Sequence, residues 1–131
     1  MSMIQKRLLV PDRVRRPPRE GFSWVDRRFL RDYAPRVSGD AILLYFFLAA
    51  VSDKHGLSFY SDSSIAVRLR RREEDIVRAR DELVTVDLIA YQAPLTQVLS
   101  LPVLRVQRGG GLQALGELLR TVGQQPPRRE A

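Results

Sequence analysis

Arginines lie in two clusters along the chain, and they are the side chains whose type and spacing best suit a chemical role. Arg13, Arg15, Arg16 and Arg19 occupy a proline-punctuated N-terminal stretch, and Arg70-Arg71-Arg72 form a continuous run further along. A guanidinium binds phosphate and can donate two hydrogen bonds to one base edge, so both clusters are candidate nucleic-acid contacts. The alternative is compositional, because a GC-rich genome also produces a chain in which 20 of 22 Lys/Arg are arginine.

Charge is distributed unevenly along the 131 residues, whose net charge is +7. Residues 1–36 carry ten Lys/Arg against four Asp/Glu, residues 37–101 carry seven against nine, and residues 102–131 carry five against two. A basic chain favours a polyanionic partner such as nucleic acid. Here the two ends would supply the attractive field, because the central segment is slightly acidic.

Composition argues against several classes of function. The chain has no cysteine and a single histidine, which excludes thiolate metal sites, disulfides and thiol nucleophiles and leaves little for a histidine relay. Its longest apolar run, Ala41–Val51, is too short to span a bilayer, and no signal peptide opens the sequence. We therefore expect a cytoplasmic, nucleoid-associated protein that is not an enzyme and has no cofactor, metal or membrane partner.

The remaining polar motifs have simpler interpretations than catalysis. His55 lies in a predicted turn, Asp53–Gly56, where an exposed role is expected rather than that of a general base. Glu73-Glu74-Asp75 are consecutive on a predicted helix, so their side chains diverge by about 100° per residue and cannot converge on one metal ion. Gly109–Gly111 lacks the lysine and serine of a phosphate-binding loop and is expected to be a linker.

Three segments are predicted from the positions of proline, glycine and apolar residues. Residues 1–21 form a basic, proline-rich arm, residues 22–101 form the globular domain, and residues 102–131 form a glycine-rich linker, an amphipathic helix and a tail. The domain is expected to begin with a short strand, Phe22–Val25. A short helix, Arg27–Tyr33, capped by Asp26, follows the strand.

The next predicted helix runs from Ala41 to about Ser52 and is apolar on nearly every side, which favours a buried position at the centre of the core. Its expected N-cap is Ser38 or Asp40. Gly56 is suited to a left-handed conformation after the helix, and a short strand, Leu57–Tyr60, is expected next.

Two further helices are predicted on either side of the Arg70-Arg71-Arg72 turn. Ser61 or Asp62 would cap the first helix, and the second runs from Glu73 to about Val84. Their expected buried faces consist of Ile65, Ala66 and Leu69 on the first helix and Ile76, Ala79 and Leu83 on the second.

An uncharged β-hairpin is predicted after these helices. Its strands would be Leu88–Tyr91 and Gln97–Leu101, joined by a five-residue loop that contains Pro94. The parts together predict a mainly α fold with a small antiparallel sheet, namely a winged helix-turn-helix. On this interpretation the aromatic residues Phe59 and Tyr91 belong to the core.

A family resemblance points the same way and covers residues 22–92. These residues resemble the winged-helix domains of bacterial helix-turn-helix proteins related to plasmid replication initiators and to phage or transposon regulators. The residues that carry the resemblance are Val37-Ser38-Gly39-Asp40-Ala41 with Tyr45, Asp53–Gly56, Phe59–Asp62, Ile65-Ala66 with Leu69, Ile76, Leu83, and Asp87-Leu88-Ile89.

The resemblance implies that the helix Glu73–Val84 enters the DNA major groove and that the chain is a transcription regulator or an accessory factor of replication or transposition in a bacterium or mobile element. From the residues themselves, the expected contacts to double-stranded DNA are Arg70, Arg71, Arg72, Glu74 and Arg78, joined by the arm residues Arg13, Arg15, Arg16 and Arg19. Family members usually have glycine at the position of Arg70. An arginine there is expected to cost ~1 kcal/mol in a left-handed conformation or to remodel the turn.

A second function, that of a non-enzymatic protein–protein adaptor that no longer binds DNA, stays open. The outward face of the helix would present Glu73, Glu74, Val77, Arg78 and Asp81, three of them acidic, and the hairpin carries no cation. The acids also have a structural explanation, because they complement the helix dipole and allow an ion pair between Glu74 and Arg78 four residues later.

The last predicted helix carries a leucine stripe formed by Leu112, Leu115, Leu118 and Leu119, with Val122 at its end. Such a face is unfavourable in water unless it is covered. The stripe therefore predicts a homodimer, or a complex with a protein partner, formed through this helix.

Overall fold

Three α-helices and three short strands make up the regular structure of residues 4–102, which are the residues that the computed structural model describes. In chain order they are α1 (Gly39–Val51), β1 (Leu57–Ser58), α2 (Asp62–Leu69), α3 (Glu73–Thr85), β2 (Ile89–Gln92) and β3 (Leu95–Val98). The predicted mainly helical class with a small antiparallel sheet is confirmed. The described residues through Leu99 belong to one unit.

The centre of the fold is α1, as its apolar sequence predicts. Ser38 caps it, with the Ser38 side chain accepting a hydrogen bond from the backbone N–H of Ala41 at 3.1 Å. Glu82 of α3 accepts hydrogen bonds from both the backbone N–H and the hydroxyl of Ser38, at 2.7 and 2.6 Å. The start of α1 is therefore fixed to α3. The buried residues of α1 are Ala41, Leu44, Tyr45, Leu48 and Ala49.

An irregular helical segment before α1 covers one side of it. Asp26 accepts a hydrogen bond from the backbone N–H of Arg28 at 2.9 Å, which confirms its predicted capping role. The segment is π-helical over Phe29–Tyr33, and a 3₁₀ turn, Ala34–Arg36, follows it. Phe29 is fully buried and stacks on Tyr45 of α1 at 4.1 Å between ring centroids.

The predicted strand at Phe22–Val25 is wrong, because the structure assigns these residues to neither strand nor helix. Within residues 4–102 no strand lies beside them to supply a ladder, and the sheet forms elsewhere. The Ser23 hydroxyl instead donates a hydrogen bond to the backbone carbonyl of Ala49, near the end of α1.

A tight turn after α1 leads into the sheet. The Asp53 carboxylate accepts hydrogen bonds from the backbone N–H groups of His55 and Leu57 at 2.8 and 2.9 Å, which lowers the pKa of Asp53. Gly56 has φ +84°, as predicted, and a Cβ at this position would meet the Val98 carbonyl. The strand that follows is shorter than predicted and ends at Ser58.

Helices α2 and α3 present the predicted faces to the core. Ser61, rather than Asp62, caps α2 by accepting a hydrogen bond from the backbone N–H of Ser64. On α3, Ile76, Ala79 and Leu83 are essentially inaccessible to solvent. The apolar periodicity therefore predicted both helices and their orientation.

The three strands form one antiparallel sheet in the order β1-β3-β2. The hairpin is confirmed, but its predicted boundaries are wrong, because β2 and β3 are joined by only Ala93 and Pro94. Ile89 pairs with Val98 and Gln92 pairs with Leu95, so residues predicted as loop belong to the strands. No helix of residues 4–102 is long and apolar enough to cross a membrane. The predicted leucine-stripe helix lies outside the described residues.

Candidate nucleic-acid interface

The turn between α2 and α3 places Arg70 in the left-handed region, with φ 59° and ψ 48°. The backbone N–H of Arg71 donates to the carbonyl of Ala66 at 2.9 Å, which closes the end of α2 in the manner of a glycine-ended helix. The turn is therefore not remodelled, and Arg70 accepts the steric cost of ~1 kcal/mol. Its side chain is exposed and is in no ion pair within the described chain.

Arg71, the next residue of the turn, is tied to the start of α1. Its Nε lies 2.8 Å from Oδ1 of Asp40, a residue in the first turn of that helix. Asp40 is therefore not the cap that the sequence allowed, but an anchor for the turn. The pair is partly exposed, so its contribution to stability is small, yet it fixes where the turn lies against α1.

The Asp75 carboxylate contacts two other arginines of the candidate interface, Arg72 and Arg78. It lies 2.6 Å from the Arg78 guanidinium and 3.3 Å from Nε of Arg72, and it also accepts a hydrogen bond from the backbone N–H of Arg72. The hydrogen bonds from Arg72 are the first cause of the lowered pKa of Asp75. The predicted pair between Glu74 and Arg78 is wrong, since Arg78 turns to Asp75 and Glu74 lies 3.5 Å from Arg72. Arg72 thus contacts two carboxylates, and the connected group of Arg72, Glu74, Asp75 and Arg78 has two cations and two anions.

Arg80 is a residue of this region that the sequence reasoning missed. It is only 8% exposed, forms an ion pair with Asp62 of α2, and lies over the ring of Tyr91 at 4.0 Å. Tyr91 was expected in the core and is instead partly exposed beneath this cation. The signal in the sequence was the spacing, because Arg80 follows Ile76 by four residues and so lies beside the apolar stripe of α3. One side chain thus connects α2, α3 and the hairpin.

The arm residues Arg13, Arg15, Arg16 and Arg19 are all exposed. Among the described residues, no ion pair or hydrogen bond joins any of their side chains to α2 or α3. The only helical turn here is the 3₁₀ segment Pro11–Arg13. The structure therefore brings the predicted site residues of the turn together and leaves the arm residues separate.

The hairpin offers no cation, as the sequence predicts, and its exposed side chains include Gln92 and Leu95. Thr96 is buried, so it supports the sheet rather than facing a ligand. Phe59 was expected in the core, but it is 72% exposed, because β1 ends at Ser58, one residue before it.

The other candidate residues remain unremarkable in the structure. His55 is exposed in its turn, as predicted. Within residues 4–102, no group of three or more histidine, aspartate or glutamate side chains has the arrangement to hold a metal ion. Comparisons with protein-family models, curated proteins and solved structures find no match for this chain. The functional argument therefore depends on the geometry of the turn and the arm.

Proposed function

We propose that this protein is a winged helix-turn-helix DNA-binding protein, acting as a regulator or as an accessory factor in replication or transposition of a bacterial or mobile element. The support from the fold is the arrangement of its parts. Two short helices are joined by a tight turn, a core helix precedes them, and an antiparallel hairpin follows with its last strand paired to β1. In helix-turn-helix proteins the second helix enters the major groove with its N-terminal residues on base edges.

The observation that carries the proposal is the exposed group of arginines at the start of α3. Arg70 extends from the turn, and Arg72 and Arg78 remain 70% and 65% exposed at the side chain although both contact Asp75. The guanidiniums of Arg72 and Arg78 offset the acids of the first helical turn, so the charge left free for a phosphate is that of Arg70. The helix N-terminus itself also favours a phosphate.

The anionic side chains of α3 restrict which contacts the proposal can use. Glu73, Glu74 and Asp81 are exposed and would repel nearby phosphates. We therefore assign the phosphate contacts to Arg70, to Arg72 and to the arm, and we assign no backbone contact to the uncharged hairpin. Glu74 is left with one compatible role, that of accepting a hydrogen bond from a cytosine amino group.

The test compares two double variants that lose the same charge. Arg70→Ala/Arg72→Ala removes two arginines of the proposed interface, and Arg31→Ala/Arg36→Ala removes two exposed arginines before α1. Fluorescence anisotropy with a labelled duplex of random sequence, at low and at moderate salt, gives both affinities. The first variant is expected to lose ~1–3 kcal/mol of binding free energy and the second much less. Equal losses would mean that net charge alone drives binding and that α3 is not docked.

An adaptor function remains a second candidate because α3 and the hairpin also expose apolar side chains. Val77 and Val84 lie seven residues apart on α3 and are about two-fifths exposed, and Leu95 of the hairpin is exposed as well. Such a face suits a protein partner better than a phosphate backbone. If the wild-type chain shows no duplex affinity at low salt while Val77→Ser abolishes binding to a protein partner, the adaptor function replaces the DNA function.

A further inference from the structure

Two large aromatic side chains are exposed at the junction between the arm and the domain. Phe22 and Trp24 are 69% and 74% exposed, and Trp24 is the only tryptophan of the chain. Neither residue contributes to the helix pair α2–α3 or to the hairpin, so the proposed duplex contact does not explain them. Tryptophan and phenylalanine each carry a large apolar area, which is costly to leave in water.

The two rings are held at a defined place on the domain. Ser23 lies between them in sequence, and its hydroxyl donates a hydrogen bond to the Ala49 carbonyl of α1. Three residues after Ser23, Asp26 starts the π-helical segment that packs its Phe29 ring on α1. The junction is thus anchored on both sides of Trp24 while the rings themselves stay accessible.

Cations surround the rings in sequence. Between positions 13 and 36 there are eight arginines and three acidic residues. Arg28 and Arg31 are paired with Asp26 and Asp32. In the described part of the chain, Arg19 and Arg27, the nearest arginines on either side of the rings, are exposed and form no ion pair.

We propose that Phe22 and Trp24 form a stacking site for unpaired bases of a single-stranded nucleic acid, whose phosphates are contacted by Arg19 and Arg27. Exposed aromatic rings next to a positively charged path are the combination by which proteins bind single strands, because every base offers a π face regardless of sequence. A duplex does not offer these faces, since its bases are already stacked on one another. The site is therefore separate from the duplex contact of α3 and goes beyond it, although it shares Arg19 with the arm contacts proposed for the duplex.

The observations favour a nucleic acid over a membrane surface. Binding in a bilayer interface needs a continuous apolar face, such as one side of an amphipathic helix. The segment with the two rings is not helical, and Val25 is the one apolar residue that extends it before the charged residues Glu20 and Arg19 on one side and Asp26 and Arg27 on the other. The exposure of the two rings and the exposed arginines nearby thus fit a polyanion with accessible bases.

Trp24 provides its own probe. Tryptophan fluorescence of the full chain is followed during titration with an unlabelled oligothymidylate, which forms no duplex, at low salt. Stacking predicts saturable quenching with the single strand and little quenching with a blunt-ended duplex of the same length. Quenching that is equal for both nucleic acids, or that occurs only with anionic vesicles, would overturn the proposal.

Variants at exposed aromatic positions separate stacking from general stickiness. Phe22→Ala, measured by quenching, and Trp24→Ala, measured by anisotropy of labelled oligothymidylate, are each expected to weaken single-strand binding about 5- to 150-fold, the equivalent of ~1–3 kcal/mol per stacked base. Phe59→Ala is the matched control, since Phe59 is 72% exposed but lies in the α2 entry loop. It is expected to leave the affinity within about twofold. A similar loss in all three variants would contradict the site.

The outcome is independent of the duplex proposal. Phe22→Ala is expected to keep wild-type affinity for a blunt-ended duplex, while Arg70→Ala/Arg72→Ala is expected to keep quenching by the single strand. Quenching without any duplex affinity would retain the single-strand site and reject the function proposed for α3. Duplex affinity without quenching would do the reverse.

Discussion

The arm and the helical region of this protein carry similar numbers of cations but use them differently. Residues 1–21 contain six Lys/Arg, and residues 38–98 contain seven. In the helical region, Arg71, Arg72, Arg78 and Arg80 each contact an aspartate. Among the described arm residues, 4–21, no ion pair occurs.

The difference separates two uses of arginine. An arginine paired with an acid on a neighbouring helix fixes the relative position of two elements, but its field is largely cancelled. An exposed and unpaired arginine contributes nothing to the fold and keeps its full charge for a phosphate. The net charge of +7 therefore does not describe the helical region; under the proposed DNA-binding function, that region would present a shaped surface and the arm would supply the long-range attraction.

The largest expected effect contrasts a core leucine with an arm leucine. Leu44→Ala removes a side chain that is 1% exposed at the centre of α1 and is expected to cost ~2–5 kcal/mol of unfolding free energy through the cavity it leaves. Leu9→Ala removes a side chain that is 80% exposed and is expected to change stability by less than ~0.5 kcal/mol. Urea denaturation followed by circular dichroism measures both. Equal effects would mean that the arm is part of the folded core.

The next effect contrasts two arginines of α3 that lie two residues apart. Arg80→Met removes the buried cation and leaves Asp62 without its partner, so we expect a loss of ~1–3 kcal/mol in unfolding free energy. Arg78→Met removes an exposed cation and is expected to cost under ~0.5 kcal/mol. A double-mutant cycle with Asp62→Asn then measures the coupling of the buried pair. A coupling near zero would show that Arg80 acts through Tyr91 alone.

The smallest effect is the acid dependence of stability at the junction of the two regions. Hydrogen bonds from the Arg28 side chain and backbone lower the pKa of Asp26 from 3.8 to about 2. Because the unfolded carboxyl protonates first, Asp26 contributes stability above about pH 4 that is lost as the pH falls towards 2. Asp26→Asn and Arg28→Gln are each expected to flatten this acid decline. Thermal denaturation from pH 5 to pH 2 gives the comparison, and a decline unchanged in both variants would rule out this pair as its source.

The sequence predicted the apolar part of the fold well. Apolar residues spaced three and four positions apart predicted α3 and its buried stripe of Ile76, Ala79 and Leu83. The caps Ser38 and Asp26 follow from the preference of short polar side chains for helix N-termini. These features depend on residues a few positions apart, so a single chain contains the information. The strand boundaries were predicted incorrectly although Gln92 and Leu95 are only three residues apart, because their pairing depends on the geometry of the turn that joins the two strands, which the residue types alone do not determine.

The charged contacts were the part of the candidate site that the sequence did not reveal. Asp40 with Arg71 and Asp62 with Arg80 are separated by 31 and 18 residues, and several other acids were equally available to each arginine. Even the local ion pair was predicted incorrectly, since Arg78 pairs with Asp75, three residues away, and not with Glu74, four residues away. Partner choice depends on the three-dimensional arrangement of helices, which composition and spacing do not determine.

The salt dependence of duplex binding tests most directly how the phosphate contacts are shared between the arm and the helical region. Anisotropy titrations across a range of salt concentrations give the slope of log affinity against log salt. For the full chain we expect a slope of roughly −4 to −6, because five or six arginines contact phosphates at about 0.9 released counterions each. Removal of residues 1–20 removes the arm arginines Arg13, Arg15, Arg16 and Arg19, and it is expected to reduce the slope to about −1 to −2, the share of Arg70 and Arg72, and to weaken binding to all sequences alike. An unchanged slope after removal would show that the arm does not contact the phosphates and that the cations of the helical region bind the duplex without it.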